Sequence, residues 1–236
     1  MKLNKKSCRF LVGGVGVLCL SLLFSGCAVR PHAYRTVGSV AQQYASYARE
    51  NLQPNFRQAG VAYPPKQVAF LVYKRSKRLQ LWARGNGSWR YIKTFSILAA
   101  SGVPGPKLSN NDRQVPEGVY RIVEFNPDSR FDLSLELNYP NAFDRYHARL
   151  DHRYDLGNQI FIHGSHYSIG CIAIGNAAIP QLFVLAYLVG LGHVQVIIAS
   201  DDLRYYKPVY GGVHPKWLPQ LYASIGAALA PFKGHP

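Results

Sequence analysis

Between residues 67 and 199 the chain is cut into short β-forming runs by turn signals, and this punctuation restricts the fold more than any other feature. Residues 67–74 and 77–84 are rich in β-formers and are joined by only Arg75-Ser76, which predicts a hairpin. In the second run Leu79, Leu81 and Ala83 alternate with Gln80, Trp82 and Arg84, the period of a strand. Gly85-Asn86-Gly87 marks another turn before a run at 89–97, and further strand-like runs lie at 118–125, 131–138, 159–163 and 193–199. Residues 177–191 read as a buried helix. From Val37 to about Gly60, the residues Val40, Tyr44, Tyr47, Ala48, Leu52 and Phe56 recur at helical spacing, which predicts a helix broken near Pro54. Strands following one another, with helices mainly at the ends and after Cys171, predict an α+β, β-rich domain and not alternating βαβ units.

The first thirty residues set the compartment. Lys2, Lys5, Lys6 and Arg9 precede an apolar stretch at 10–24 that ends in Ser25-Gly26-Cys27, the layout of a secretory signal peptide. Small residues before a cysteine resemble a bacterial lipobox and mark Cys27 as the lipidated first residue of the mature chain, although Phe24 replaces the usual Leu. An uncleaved anchor is the competing reading, but the stretch is shorter than the about 20 residues that span a bilayer. The expected organisation is a leader at 1–26, a tether at 27–36, a helical segment at 37–66, a catalytic domain at 67–200 and a C-terminal extension at 201–236. The location predicted is the periplasm, with a lipid anchor in the outer membrane. Cys8 and Cys19 leave with the leader, so once Cys27 carries lipid, Cys171 has no partner for a disulfide. The formal charge of +15 falls to +11 when the four basic leader residues are removed, and it is scattered. No basic and aromatic interleaving or nucleic-acid motif accompanies it, so anionic envelope polymers or headgroups are the expected partners and nucleic acid is not.

Cys171 closes the run Ile162-His163-Gly164-Ser165-His166-Tyr167-Ser168-Ile169-Gly170-Cys171. Ile162-His163-Gly164 with Ser168-Ile169-Gly170-Cys171-Ile172 and Asn176 resembles the active-site signature of the YkuD-type L,D-transpeptidases, and the short spacer resembles their YafK-like branch. Tyr63-Pro64-Pro65, Gly105-Pro106-Lys107, Asp112-Arg113-Gln114, Pro116-Glu117-Gly118-Val119-Tyr120 and Tyr139-Pro140-Asn141-Ala142-Phe143-Asp144-Arg145 extend the resemblance over roughly residues 55 to 200. The resemblance implies a β-sandwich with flanking helices, no metal or cofactor, and action on peptidoglycan stem peptides through a cysteine thioester at meso-diaminopimelate. Transpeptidation, for wall cross-linking or protein attachment, is one outcome. The branch also implies a hydrolase that releases a peptidoglycan-linked lipoprotein or trims stems. Ile169 and Ala173 stand where the wider family usually has a histidine and an arginine.

The residues themselves support such chemistry. A free thiol with a pKa near about 8.5 is a weak nucleophile at neutral pH unless a neighbouring base or positive potential activates it. His163, at the end of a predicted strand, is the candidate base. Gly164 and Gly170 allow close backbone approach or positive φ, and the Gly170 and Cys171 amides are candidate oxyanion donors. Ser168 orients either the imidazole or the turn. For substrate carboxylates the candidates are Lys107, Arg113 and Arg145, for an ammonium Asp112 or Asp144, and for the pocket wall Gly164, Tyr139 and Asn141. A metal held by His163, His166 and Cys171 matches no standard ligand spacing. A non-catalytic peptidoglycan-binding lipoprotein is the reading from another class. Residues 201–236 receive no role beyond covering the core or forming a lid, with a small-residue helix at 218–231.

Overall fold

The computed structural model describes residues 34–208 and 214–234, so the leader, the lipobox and Cys27 lie outside the described residues. Nine strands form one mixed sheet: β1 (Val68–Tyr73), β2 (Arg78–Gly85), β3 (Ser88–Ser96), β4 (Ala99–Ala100), β5 (Gly118–Ser129), β6 (Asp132–Leu137), β7 (Phe161–His163), β8 (Ile172–Ala173) and β9 (Val194–Ala199). Their spatial order is β3-β2-β1-β9-β5-β6-β7-β8-β4. Only β1–β9 and β7–β8 pair in parallel. The long β5 belongs to both halves. Its Gly118–Arg121 part pairs with β9, the remainder pairs with β6, and a register shift follows Ile122 at the handover. A bulge of this kind bends a strand and increases its twist, which lets one sheet fold over a shared core.

Side-chain alternation then assigns the faces. In β1, Val68, Phe70 and Val72 enter the main core, while Ala69, Leu71 and Tyr73 enter a second cluster on the opposite face. The strand is therefore buried at every position and reads as an unbroken apolar run. Leu133, Leu135 and Leu137 of β6, Ile162 of β7 and Ile172 of β8 complete the main core from the other half of the sheet. The opposite face of that half carries Ser134, Glu136, Phe161 and His163, and it holds the candidate site.

Five helices cover the sheet. Helices α1 (Val37–Gln43) and α2 (Ala45–Gln58) bury Val40, Leu52 and Phe56 in the main core. The expected break at Pro54 does not occur there. Helix α2 runs through Pro54, and the interruption falls at Tyr44 instead. Pro54 and Glu50 are both exposed, so the Glu50 carbonyl that loses its helical donor can be solvated. Helix α4 (Ile179–Val189) is buried from Ile179 to Ala186, as its apolar sequence predicts, and ends at Gly190 with φ +87°. Helix α5 (Leu218–Leu229) lies on the second face, where Leu218, Leu221, Tyr222, Ile225 and Leu229 meet Leu71, Tyr73, Trp82 and Ile197. The C-terminal segment is thus a core-covering element, which is why Gln80 and Trp82 are as buried as Leu79 and Leu81. Helix α3 (Ala142–Leu150) is not anticipated by the strand-and-turn reading of its region.

Candidate active site

His163 ends β7 and Cys171 stands immediately before β8. His163 pairs with Ala173 across the parallel ladder, and Cys171 precedes Ala173 by two residues, so the strand period turns both side chains to one face. The thiol is half-buried and donates to the Gln159 carbonyl at 3.8 Å. It lies in a cleft of about 560 Å³ lined by Cys171, Gly170, Phe161, Gln159, Ser134 and Lys107, among others. Burial pushes the thiol pKa up, against the lowering effects of the Phe161 amide and the Lys107 charge.

His163 is only 2% exposed. Its Nδ1 lies 2.5 Å from the Gly164 carbonyl oxygen, which can only accept, so Nδ1 carries the hydrogen and Nε2 is left unprotonated. Burial pushes the imidazole pKa down, opposed by that bond. Phe131, at the tip of the β5–β6 hairpin, lies against the ring with centroids 4.8 Å apart. Among the described residues no hydrogen bond joins the imidazole to the sulfur. Both shifts favour the neutral forms, thiol and imidazole.

The turn before Cys171 is organised by Ser168. Its hydroxyl donates to the Cys171 carbonyl at 2.6 Å and accepts from the Gly170 amide at 3.3 Å and the Ser101 amide at 3.4 Å. Of its two expected roles, Ser168 performs the turn-forming one. Gly170 has φ +129°, which explains the glycine, and its amide is turned to Ser168. Gly164 is required sterically: a Cβ there would lie 2.5 Å from the Phe131 carbonyl oxygen and 2.6 Å from Asn176 Oδ1.

The expected substrate-binding residues divide. Lys107 lines the cleft, but its ammonium is held by Asp112 at 2.5 Å and the Ser109 carbonyl at 2.8 Å. Asp112 also accepts from the Leu108, Ser109 and Gln114 amides; burial raises its pKa, and these bonds bring it net below the ordinary range. The pair shapes a loop and is not free for a ligand. Arg113 is exposed at φ +52° and does not line the cleft. Asn141, Asp144 and Arg145 line a separate hollow beside α5. Asn141 and Asp144 are the reciprocal capping box of α3, and Arg145 donates to the Pro140 carbonyl. Tyr139 is buried, with its hydroxyl donating to the Leu156 and Lys107 carbonyls at 3.3 and 3.4 Å. None of these four is brought to the Cys171 cleft. His166 is exposed against Tyr167, and no group of three His, Cys, Asp or Glu suited to a metal occurs among the described residues.

Sequence reasoning missed Ser134. It is the direct cross-strand neighbour of His163, lines the cleft, and has a buried hydroxyl with no hydrogen-bond partner. The signal was present in Leu133-Ser134-Leu135-Glu136-Leu137, where period 2 sends Ser134 and Glu136 to the face away from the leucines.

The chain is 33% identical over 136 residues to YafK of Escherichia coli (strain K12), which bears an L,D-transpeptidase name provisionally; the match takes in 56% of this chain and 53% of YafK. The chain thus spans about half the length of the curated relatives it matches. Among solved structures, the helical cell shape determining protein Pgp2 from Campylobacter jejuni is 19% identical with a TM-score of 0.47, over 72% of this chain and 71% of Pgp2. Bd1075 of Bdellovibrio bacteriovorus is 23% identical with a TM-score of 0.43, over 59% of this chain and 50% of Bd1075. The profile of the L,D-transpeptidase catalytic domain known as YkuD matches residues 67–198, from the first strand of the sheet through the His163–Cys171 turn to β9, and the chain belongs to that family.

Proposed function

We propose that the chain is a cysteine acyl-transfer enzyme of the cell envelope acting on peptidoglycan stem peptides. Cys171 Sγ attacks the carbonyl of the third stem residue, meso-diaminopimelate, while His163 Nε2 takes the thiol proton. The adduct collapses, the bond to the next residue's nitrogen breaks, and that amine leaves with the proton from His163. A thioester remains on Cys171. Attack by an acceptor amine restores the thiol and yields a wall cross-link or an attached protein. The Cys171 amide is the donor for the developing oxyanion, since the Gly170 amide is turned to Ser168.

One observation carries this reading. A lone thiol that lines an open cleft and a buried imidazole with its acceptor nitrogen fixed share one sheet face. The family membership supports it independently. The same thioester allows a second outcome, in which water attacks it and the enzyme trims stems or releases a linked lipoprotein.

The test is to incubate the full-chain protein with tetrapeptide stems, an amine acceptor and lipoprotein-linked muropeptides, and to read product masses. Transpeptidation gives the mass of donor plus acceptor less the terminal amino acid that leaves, and hydrolysis that of donor plus water less the same amino acid; a Cys171→Ala protein that still converts the stems sinks the mechanism. If wall pull-down is retained but no substrate is converted by either protein, the non-catalytic binding reading holds instead. The envelope location rests on Cys27, and palmitate labelling that persists in Cys27→Ala protein refutes the anchor.

A further inference from the structure

Neither carboxylate first considered for a substrate ammonium is available, because Asp112 is held by Lys107 and three amides and Asp144 caps α3. Beside the cleft, the same face of the sheet carries another pair. Glu124 of β5 is the cross-strand partner of Glu136 of β6, and Glu136 is opposite Phe161, which lines the cleft. That row leads on to Cys171. Two residues along β6, Ser134 lines the same cleft at 2% exposure, and its Oγ has no hydrogen-bond partner.

These groups are unexplained by the fold alone. Among the described residues neither glutamate side chain makes an ion pair or a hydrogen bond, in a chain with a formal charge of +15. Like charges directly across a strand pair destabilise it. Burial, and then the charge of Glu124, push the Glu136 carboxyl above its ordinary range. The buried hydroxyl of Ser134 separately lacks the partner that such groups almost always have. A bound cation with several N–H donors relieves both.

We propose that Ser134, Glu136 and Glu124 form a subsite for a primary ammonium on the side chain of the acyl-donor residue. An ammonium has three N–H donors, matched here by one hydroxyl and two carboxylates. Strands lie about 4.8 Å apart, which sets the Glu136 backbone about 10 Å and the Glu124 backbone about 14 Å from Cys171 across the sheet. The glutamate side chains shorten that gap to a length the far amine of diaminopimelate can span. Arg130, on the rim of the same cleft, stands ready for the carboxylate at that centre. The subsite rests on the stem-peptide reading above and names the feature of the stem that is selected.

Binding tests the subsite apart from the chemistry. Full-chain Cys171→Ala protein is titrated calorimetrically with two synthetic tetrapeptide stems, one carrying diaminopimelate and one carrying 2-aminopimelate, which lacks the far amine. The expected result is a preference for the diamino stem of roughly tenfold or more, the usual size for hydrogen bonds to charged groups. Glu136→Gln with Glu124→Gln, and separately Ser134→Ala, reduce that preference and leave 2-aminopimelate binding unchanged; Ser134→Thr retains it. Equal affinity for both stems, no binding of either, or equal loss for both in the variants overturns the proposal. Preferential binding without turnover by the wild-type protein retains the subsite and rejects the acyl-transfer chemistry.

Discussion

Replacing Asp144 with asparagine separates a substrate ligand from a helix cap by its effect on pH-dependent stability. Asp144 is 8% exposed, and its carboxyl is pushed up to about 6, first by burial, against the Asn141 amide, the Tyr120 hydroxyl and the charges of Arg145 and Arg153. An unfolded aspartate titrates near about 3.9, so the folded chain holds this proton more tightly. The sign follows from linkage. Stability from protonated Asp144 is fully present below the unfolded value and is lost as pH rises through about 6. A difference of about two pH units corresponds to at most about 3 kcal/mol. Asparagine keeps an acceptor for the Asn141 amide and removes the titrating charge. Urea unfolding of both proteins at pH 4, 5, 6 and 7 measures the outcome. The wild type is expected to lose up to about 3 kcal/mol relative to Asp144→Asn between pH 4 and pH 7, with stem-peptide turnover intact. Parallel stability curves, or a variant that folds normally but loses turnover, refute the assignment.

Two further outcomes follow. Iodoacetamide should alkylate Cys171 with an apparent pKa above the about 8.5 of a free thiol, because burial outweighs the Phe161 amide and Lys107; a rate that plateaus near neutral pH indicates a preformed thiolate–imidazolium pair instead. Ile225→Ala empties a fully buried position of α5 and should cost about 2–5 kcal/mol in denaturant unfolding. A loss under about 1 kcal/mol, small for a core truncation, means α5 does not seal the second face.

The sequence made the strands legible and left the coverage of the sheet obscure, for a physical reason. Local alternation locates β2, and β-forming apolar runs locate β1 and β9, but a strand such as β2 shows the same alternation whether its polar face meets water or another element. Gln80 and Trp82 resemble the exposed side of a half-buried strand, and groups remote in sequence cover them: Arg204 lies over Trp82 and donates to Gln80, and Phe232 packs on the Trp82 ring. Pro54 resembled a helix stop because sequence does not show that the carbonyl it orphans faces solvent. The site divided in the same way. Cys171, His163 and the two glycines were readable as a local motif, since a single turn and one strand pair bring them together. Asn141 and Asp144 were misread as ligands because a capping box and a binding pair use the same residue types. Their spacing of three, ahead of an apolar-periodic stretch, was the available clue. Ser134 was missed because its meaning comes from register with β7, a non-local pairing.

The resting state of the thiol bears on how the reaction is driven. Where a thiolate and an imidazolium exist before substrate arrives, the nucleophile is ready and also open to oxidation. Here burial raises the thiol and lowers the imidazole, so the proton stays on sulfur. Ionisation then has to accompany attack, and the charge that forms must be met by groups already in position. In the proposed mechanism the Gly164 carbonyl, already bonded to Nδ1, steadies the imidazolium, and the amide of Cys171 meets the oxyanion. A bound stem that shuts water out of the cleft strengthens both interactions by lowering the local dielectric. On the proposed reading, recognition at Glu136 and proton transfer at His163 are linked through the same desolvation. Substrate features far from the scissile bond are expected to raise kcat as well as lower KM.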